Sequence, residues 1–396
     1  MKLQKLLLSL FLIFSLSVMS FNLSISQDND GKKDEKKKDA YQFTIVKEVA
    51  RTPVKDQAGT STCWCFATIS FLESELLRMG KEEIDLSEMY VVRHTYPEKA
   101  KRFVRLHGET NFPHGGACHD VLDIMKLYGL VPDVVYPGLN YGEKKHQHGE
   151  LGRILNGMVD AVVKNHGERV TPKWFEAVDG ILDVYLGEVP ESFSYREKKY
   201  TPQTFLADYL QLNPDDYIEI TSYLHHPFYQ QIYLELPDNW TFNDKYYNVP
   251  IEDLATIIDN CLNNGYSVVY GGDTSNKYFS SKTGYGIVPL KDWEDMSEEE
   301  RKKEIEEPIE EKEPTQELRQ KWFDNYTATD DHAMHIVGLA NDQTGKPFYL
   351  TKNSWGTDRK YDGYVYLSKP YLLLNATGFL VNKNALPNDI KKKLGL

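Results

Sequence analysis

Apolar residues fall on one helical face from Cys63 to Met79, where Phe66, Ile69, Leu72 and Leu76 recur before Gly80 stops the run. A second such stretch runs from about Cys118 to Leu127 and ends at Gly129. Between Pro132 and Pro250 the pattern predicts mainly helix with loops. Thr171-Pro172 and Thr201-Pro202 each pair an N-cap hydroxyl with proline at the first helical position. Asp253 to Asn263 predicts a further helix. Beyond it the period changes: Tyr266 to Tyr270, His332 to Leu339, Phe348 to Lys352 and Gly363 to Leu367 are short, β-branched or aromatic, and bounded by Gly, Asn or Asp. These predict strands. Helices crowd the first part and strands the last, so the class is α+β with two lobes.

The N-terminus changes the picture of where ordered structure starts. Lys2 and Lys5 precede an uncharged apolar run, Leu6 to Met19, and Ser24-Ile25-Ser26 offers a small-x-small cleavage site. That predicts a signal peptide over 1–26 and an exported protein, periplasmic or secreted, with no stable membrane insertion after cleavage. The strongly apolar part is shorter than the ~20 residues a spanning helix needs, although weak hydrophobicity reaches Ile25 and an uncleaved anchor is the rival reading. Residues 27–40 read as a charged linker, and order is expected from about Tyr41. Trp293 to Lys321 mixes Glu, Lys and Arg densely, which predicts a solvated insertion, bounded here as 291–321.

Composition adds exclusions. A length of 396 residues suits two or three domains, or one large domain with insertions, and 41% hydrophobic residues suffice for a core. The net charge of -13 argues against nucleic acid as a partner, since counterion release needs a basic face. Four cysteines, Cys63, Cys65, Cys118 and Cys261, make no disulfide framework. If one is catalytic, at most one bridge can form among the others, and the sequence does not choose it. His225-His226, His146/His148 and His114/His119 lack the i, i+4 pairing around a glutamate, and Cys63-Trp64-Cys65 is too tight for a zinc knuckle. No metal and no cofactor are expected.

The strongest chemical signal is Gln57-Ala58-Gly59-Thr60-Ser61-Thr62-Cys63-Trp64. A thiol is a useful nucleophile only as thiolate, and a helix N-terminus favours that anion. Cys63 sits where turn residues give way to the first helix. Gln57 is placed to join the Cys63 N–H as an oxyanion donor. Taken alone, Cys63 is equally a small buried hydrophobe. Two later segments alter that balance. Asp330-Asp331-His332-Ala333-Met334-His335 opens an apolar strand, and Lys352-Asn353-Ser354-Trp355-Gly356 supplies an amide that can fix the tautomer of an imidazole. Trp355 is expected to shield that bond from water. His335, at an odd offset in a strand, is expected on the face opposite His332.

Together, in the order Cys, His, Asn, these motifs resemble those of the papain superfamily of cysteine peptidases. The resemblance implies a papain-like two-lobed fold, with a helical lobe and an antiparallel β-barrel-like lobe. It implies Cys63, His332 and Asn353 as a triad, Gln57 as oxyanion donor, and Gly115-Gly116 as the place where a substrate backbone approaches. Tyr128-Gly129-Leu130-Val131-Pro132, Asn248-Val249-Pro250, His332-Ala333-Met334 and the long insertion are similar to the bleomycin hydrolase and aminopeptidase C group. On that likeness 41–396 is one catalytic domain: a helical lobe at 41–130, a helical insertion at 131–250, a β lobe at 251–384 and a C-terminal tail at 385–396. The group lays its tail in the cleft to admit only free N-termini, which would make Leu396 a substrate-binding residue beside Trp355, Gly115 and Gly116. The likeness implies peptide substrates, an aminopeptidase, and hexamers in some members. An endopeptidase, or a catalytically silent binding protein on the same scaffold, are the alternatives. Ser61-Thr62, Cys65 and Ala117 depart from the usual pattern, which leaves side-chain preference open.

Overall fold

The computed structural model describes residues 39–165, 169–303 and 305–396. The signal-peptide reading and nearly all of the linker reading fall outside them. The first helix, α1, spans Cys63–Arg78, and Trp64 to Leu76 are buried throughout. It is therefore a central helix and not an amphipathic surface one. Helices α2 (Glu88–Arg105) and α3 (Cys118–Tyr128) pack on it, and α4 (Gly149–Val163) and α5 (Lys173–Leu186) complete that layer. Leu151, Leu155 and Val159 of α4 and Val178, Leu182 and Leu186 of α5 close one hydrophobic core around α1. Ser87 caps α2 by accepting from Tyr90 N at 2.9 Å.

The other layer is one large sheet. Its centre runs Tyr217–Thr221, Ala376–Asn382, Val268–Gly272, His332–Asn341, Pro347–Lys352 and Tyr364–Ser368, all antiparallel neighbours. The register sets His332 opposite Gly272 and Ala333 opposite Gly271, while Gly271 also faces Gly378 on the next strand. Three adjacent strands thus deliver small residues and one histidine to the same spot beside α1. A second core lies on the far face of the sheet, under the helix Ile251–Asn263.

Three expectations need correction. Among the described residues no strand pairing joins the two ends of the sheet, so the β lobe is not a closed barrel, though the α+β class holds. The segment 131–250 is helical only as far as Leu186 and then through Pro202–Leu210; after that it gives Tyr217–Thr221, Gln230–Ile232 and Tyr246–Asn248 to the sheet. Its apolar residues fill both layers, and that mixture hid the strands. The tail forms a helix, Asn388–Leu394, whose Ile390 and Leu394 enter the second core. All four cysteines are free thiols.

Candidate active site

Cys63 is the first residue of α1, with Cys65 N and Phe66 N both bonded to Thr62 O to start the helix. It shares a cavity of about 50 Å³ with His332, Gly116, Ala333 and Asp238. His332 opens its strand and is 6% exposed. Its Nε2 donates to Asn353 Oδ1 at 2.8 Å. The same Oδ1 accepts from Ser354 N at 2.8 Å, which identifies it as the oxygen end of the amide. Imidazole Nε2 therefore carries the proton, and Nδ1 keeps its lone pair. Trp355 lies over the imidazole with ring centroids 4.6 Å apart. It covers that hydrogen bond and does not line the cavity.

Gln57 reaches this site through its neighbours. Gln57 N donates to Ser354 O, Ser354 Oγ donates to Gln57 Oε1 at 2.6 Å, and Gln57 Nε2 donates to Thr60 O at 3.1 Å. The amide plane is held from both sides, with one N–H to spare. Gly116 lines the cavity, and a Cβ there would sit 2.8 Å from the Trp64 ring. Gly115 lies just behind, at φ +73°, where a Cβ would meet Asp238 Oδ1 at 2.1 Å. Buried Lys99 donates to both His114 O and Gly115 O at 2.8 Å and fixes this glycine pair.

His335 turns to α1, where its Nδ1 bonds Ser70 Oγ at 2.8 Å, away from the cavity. Leu396 stands apart from the site: no residue after Phe379 lines the cavity, and Leu396 N bonds Lys391 O at the end of the docked tail helix. The tail is anchored elsewhere, by Ile390, Leu394 and the Lys393–Asp253 ion pair at 3.1 Å. The sequence reading missed Asp238 and Asp330, whose carboxylates border the cavity. It also missed that His225 and His226 meet Glu235, their ligand atoms within 4.8 Å of one another on an exposed loop. Glu235 lies nine residues beyond His226, past the strand Gln230–Ile232 and out of reach of a helical spacing rule.

Burial pushes the Cys63 thiol up to about 12, helped by the charges of Asp238 and Asp331, while backbone hydrogen bonds from Ala333 and Trp64 oppose it. Burial also lowers His332, against the Asn353 bond and the Asp331 charge. Moving the proton from Sγ to Nδ1 creates opposite charges together, which offsets both costs. The chemistry available is attack by sulfur on a carbonyl, with proton transfer through imidazole.

The fold and this arrangement define a papain-like cysteine-type peptidase. The sequence profile of the Peptidase C1-like family matches residues 16–395, and the chain belongs to that family. Cysteine proteinase 1, mitochondrial, of Saccharomyces cerevisiae is 24% identical over 402 residues, covering 90% of this chain and 80% of the relative. Aminopeptidase G of Lactobacillus delbrueckii subsp. lactis is 23% identical, covering 88% and 84%. Bleomycin hydrolase of Gallus gallus is 22% identical, covering 85% and 82%. The solved structure of PepW from Lactobacillus rhamnosis HN001 superposes with a TM-score of 0.67 at 19% identity, over 89% of this chain and 84% of that one.

These relatives overturn the expectation of export. The yeast relative is named for the mitochondrion, and the family match begins at residue 16, inside the segment read as a cleaved leader. Two lysines before an apolar run do not by themselves name a compartment.

Proposed function

We propose that this peptidase is an aminopeptidase working through Cys63, His332 and Asn353. The observation that carries the triad is the His332 Nε2 to Asn353 Oδ1 bond at 2.8 Å, with His332 and Cys63 lining one cavity. Cys63 Sγ gives its proton to His332 Nδ1 and attacks the scissile carbonyl. Gln57 Nε2 and the Cys63 N–H stabilise the oxyanion. His332 returns the proton to the leaving amine, then draws one from water as that water releases the acyl-enzyme.

Two observations favour the aminopeptidase over the endopeptidase reading. Relatives spanning most of the chain are named Aminopeptidase G and Aminopeptidase E. The cavity beside Cys63 is also small and walled by loop 233–245. Gating by the tail forms no part of this proposal, because 385–396 is docked outside the cavity. The test is labelling with a thiol-directed epoxide, mapping of the modified cysteine, and assay of peptides with free and blocked N-termini. Labelling at Cys63 with preference for free N-termini is expected. Modification elsewhere, or unimpaired cleavage by Cys63→Ala, would overturn the proposal.

A further inference from the structure

Loop 233–245 crosses the cavity and is clamped along its length. Trp240 Nε1 donates to Asp120 Oδ2 at 2.7 Å, Arg102 Nε donates to Trp240 O at 3.1 Å, and His119 Nε2 bonds Thr241 Oγ1 at 2.9 Å. Asn239 Nδ2 ties the loop to itself through Leu234 O and Asn243 O, each at 3.0 Å. Asp238 N donates to Asp330 Oδ2 at 3.1 Å. This wall does not swing freely. It holds the Asp238 carboxylate against the glycine pair: Asn111 Nδ2 donates to Asp238 Oδ1 at 2.6 Å, and a Cβ on Gly115 would lie 2.1 Å from that same oxygen.

That placement decides how far a substrate can extend. A chain continuing N-terminally from the attacked residue would pair with backbone at Gly115-Gly116, a stretch that has no side chains of its own. Here the Asp238 carboxylate packs on Gly115, where even a Cβ would meet its Oδ1 at 2.1 Å. A cationic headgroup placed there would meet that carboxylate directly. Lys99, whose charge acts on Asp238, spends its hydrogen bonds on two carbonyl oxygens, and Asp330 adds a second carboxylate. Burial and the Asp330 charge hold Asp238 up at about 7, against Lys99, Asn111 and Gly116, so a bound cation is favoured.

We propose that Asp238 anchors the substrate's α-ammonium group, so that a free N-terminus is read by an internal side chain and not by the C-terminal carboxylate. This rests on the peptidase reading above. A substrate without the charge leaves Asp238 buried and unpaired, whereas one with an N-acyl group also meets the loop.

The test uses the full chain and three anilides: alanyl, propionyl and N-acetylalanyl. The wild type is expected to favour alanyl over propionyl in kcat/KM on the order of 10²-fold, the cost of removing one partner of a buried charge pair. Asp238→Asn, which keeps the shape and the Asn111 contact, is expected to bring that ratio within a few-fold of one. Deleting Gly395-Leu396 is expected to leave it unchanged. An Asp238→Asn enzyme that retains the ratio, or a tail deletion that abolishes it, overturns the anchor while the peptidase reading stands. Should Asp238→Asn fail to fold, the wild-type ratio and the tail deletion decide. Cleavage of none of the three, with Cys63 unlabelled by epoxide, removes both proposals.

Discussion

Ser354 Oγ donates to Gln57 Oε1 at 2.6 Å, linking the loop that carries the base-orienting amide to the loop that leads into the nucleophile. The backbone bond Gln57 N to Ser354 O and the Gly356 N to Lys55 O bond run alongside it. The amide of Gln57 is thus oriented by the residue next to Asn353. Gln57→Ala is expected to lower kcat on the order of 10²-fold with little change in KM. Ser354→Ala removes one neutral hydrogen bond and is expected to cost about tenfold or less. Steady-state kinetics on a free-amine anilide checks both. A Ser354→Ala loss as large as that of Gln57→Ala would contradict this division of labour.

His332 is expected to be the acceptor that makes Cys63 reactive at neutral pH. Burial raises the thiol toward about 12, so without an imidazole nearby the thiolate is scarce. In His332→Ala, alkylation of Cys63 by iodoacetamide at pH 7 should fall on the order of 10³-fold, and should climb with pH through 9 and beyond. The sign follows from burial disfavouring the charged form, with Asp238 and Asp331 adding to it. A His332→Ala protein that alkylates at the wild-type rate at pH 7 would remove His332 from this role.

The three residues proposed as the triad could be singled out because each sits in a short, local pattern. Cys63 follows a turn and starts a helix, His332 opens a strand, and Asn353 directly follows one. Asp238 has no such signature. Its importance comes from a loop meeting Gly115-Gly116 more than a hundred positions away, and a one-dimensional reading has no access to that. The fold shows the same limit. The strand Ala376–Asn382 is buried at every position and shows no alternation, so its central place in the sheet left no periodic trace. Helix α2 contains Pro97, which breaks the helical pattern in sequence although the structure accommodates it. The gating role of the tail came from the resemblance alone, whereas Ile390 and Leu394, four residues apart, are the residues by which its helix docks.

The buried pair of His119 and Glu219 gives stability a pH dependence. Burial alone would lower the imidazolium, but Glu219, whose Oε2 is 2.7 Å from His119 Nδ1, raises it to about 9. A pKa raised above its unfolded value of about 6.5 stabilises fully below that value and loses its contribution as pH climbs through about 9. The buried ammonium groups of Lys99 and Lys352, both pulled down by burial to about 8, act in the opposite sense over pH 8 to 10. The slope of the whole protein therefore mixes several titrations. The difference between wild type and His119→Gln isolates the pair: it should be about 3 kcal/mol near pH 6 and shrink markedly by pH 9.5. Urea melts at the two pH values measure it, and a constant difference would mean that His119 does not titrate in the folded state.

The tail can be separated from catalysis by its packing. Ile390 is 1% exposed in the core beneath the helix Ile251–Asn263, and Asn260 Nδ2 donates to Ala385 O at 2.7 Å just before the tail helix begins. Ile390→Ala removes buried methyl groups from a packed site and is expected to destabilise the fold by about 2–4 kcal/mol. If the tail serves only as a structural staple, kcat/KM on the alanyl anilide at 25 °C should stay within about twofold of wild type for the folded fraction, because no residue after Phe379 borders the cavity. Denaturant melts paired with kinetics on the same samples distinguish the two roles. A variant that keeps its stability yet begins to cleave N-acetylated substrates would mean that the tail, and not loop 233–245, controls access to Cys63.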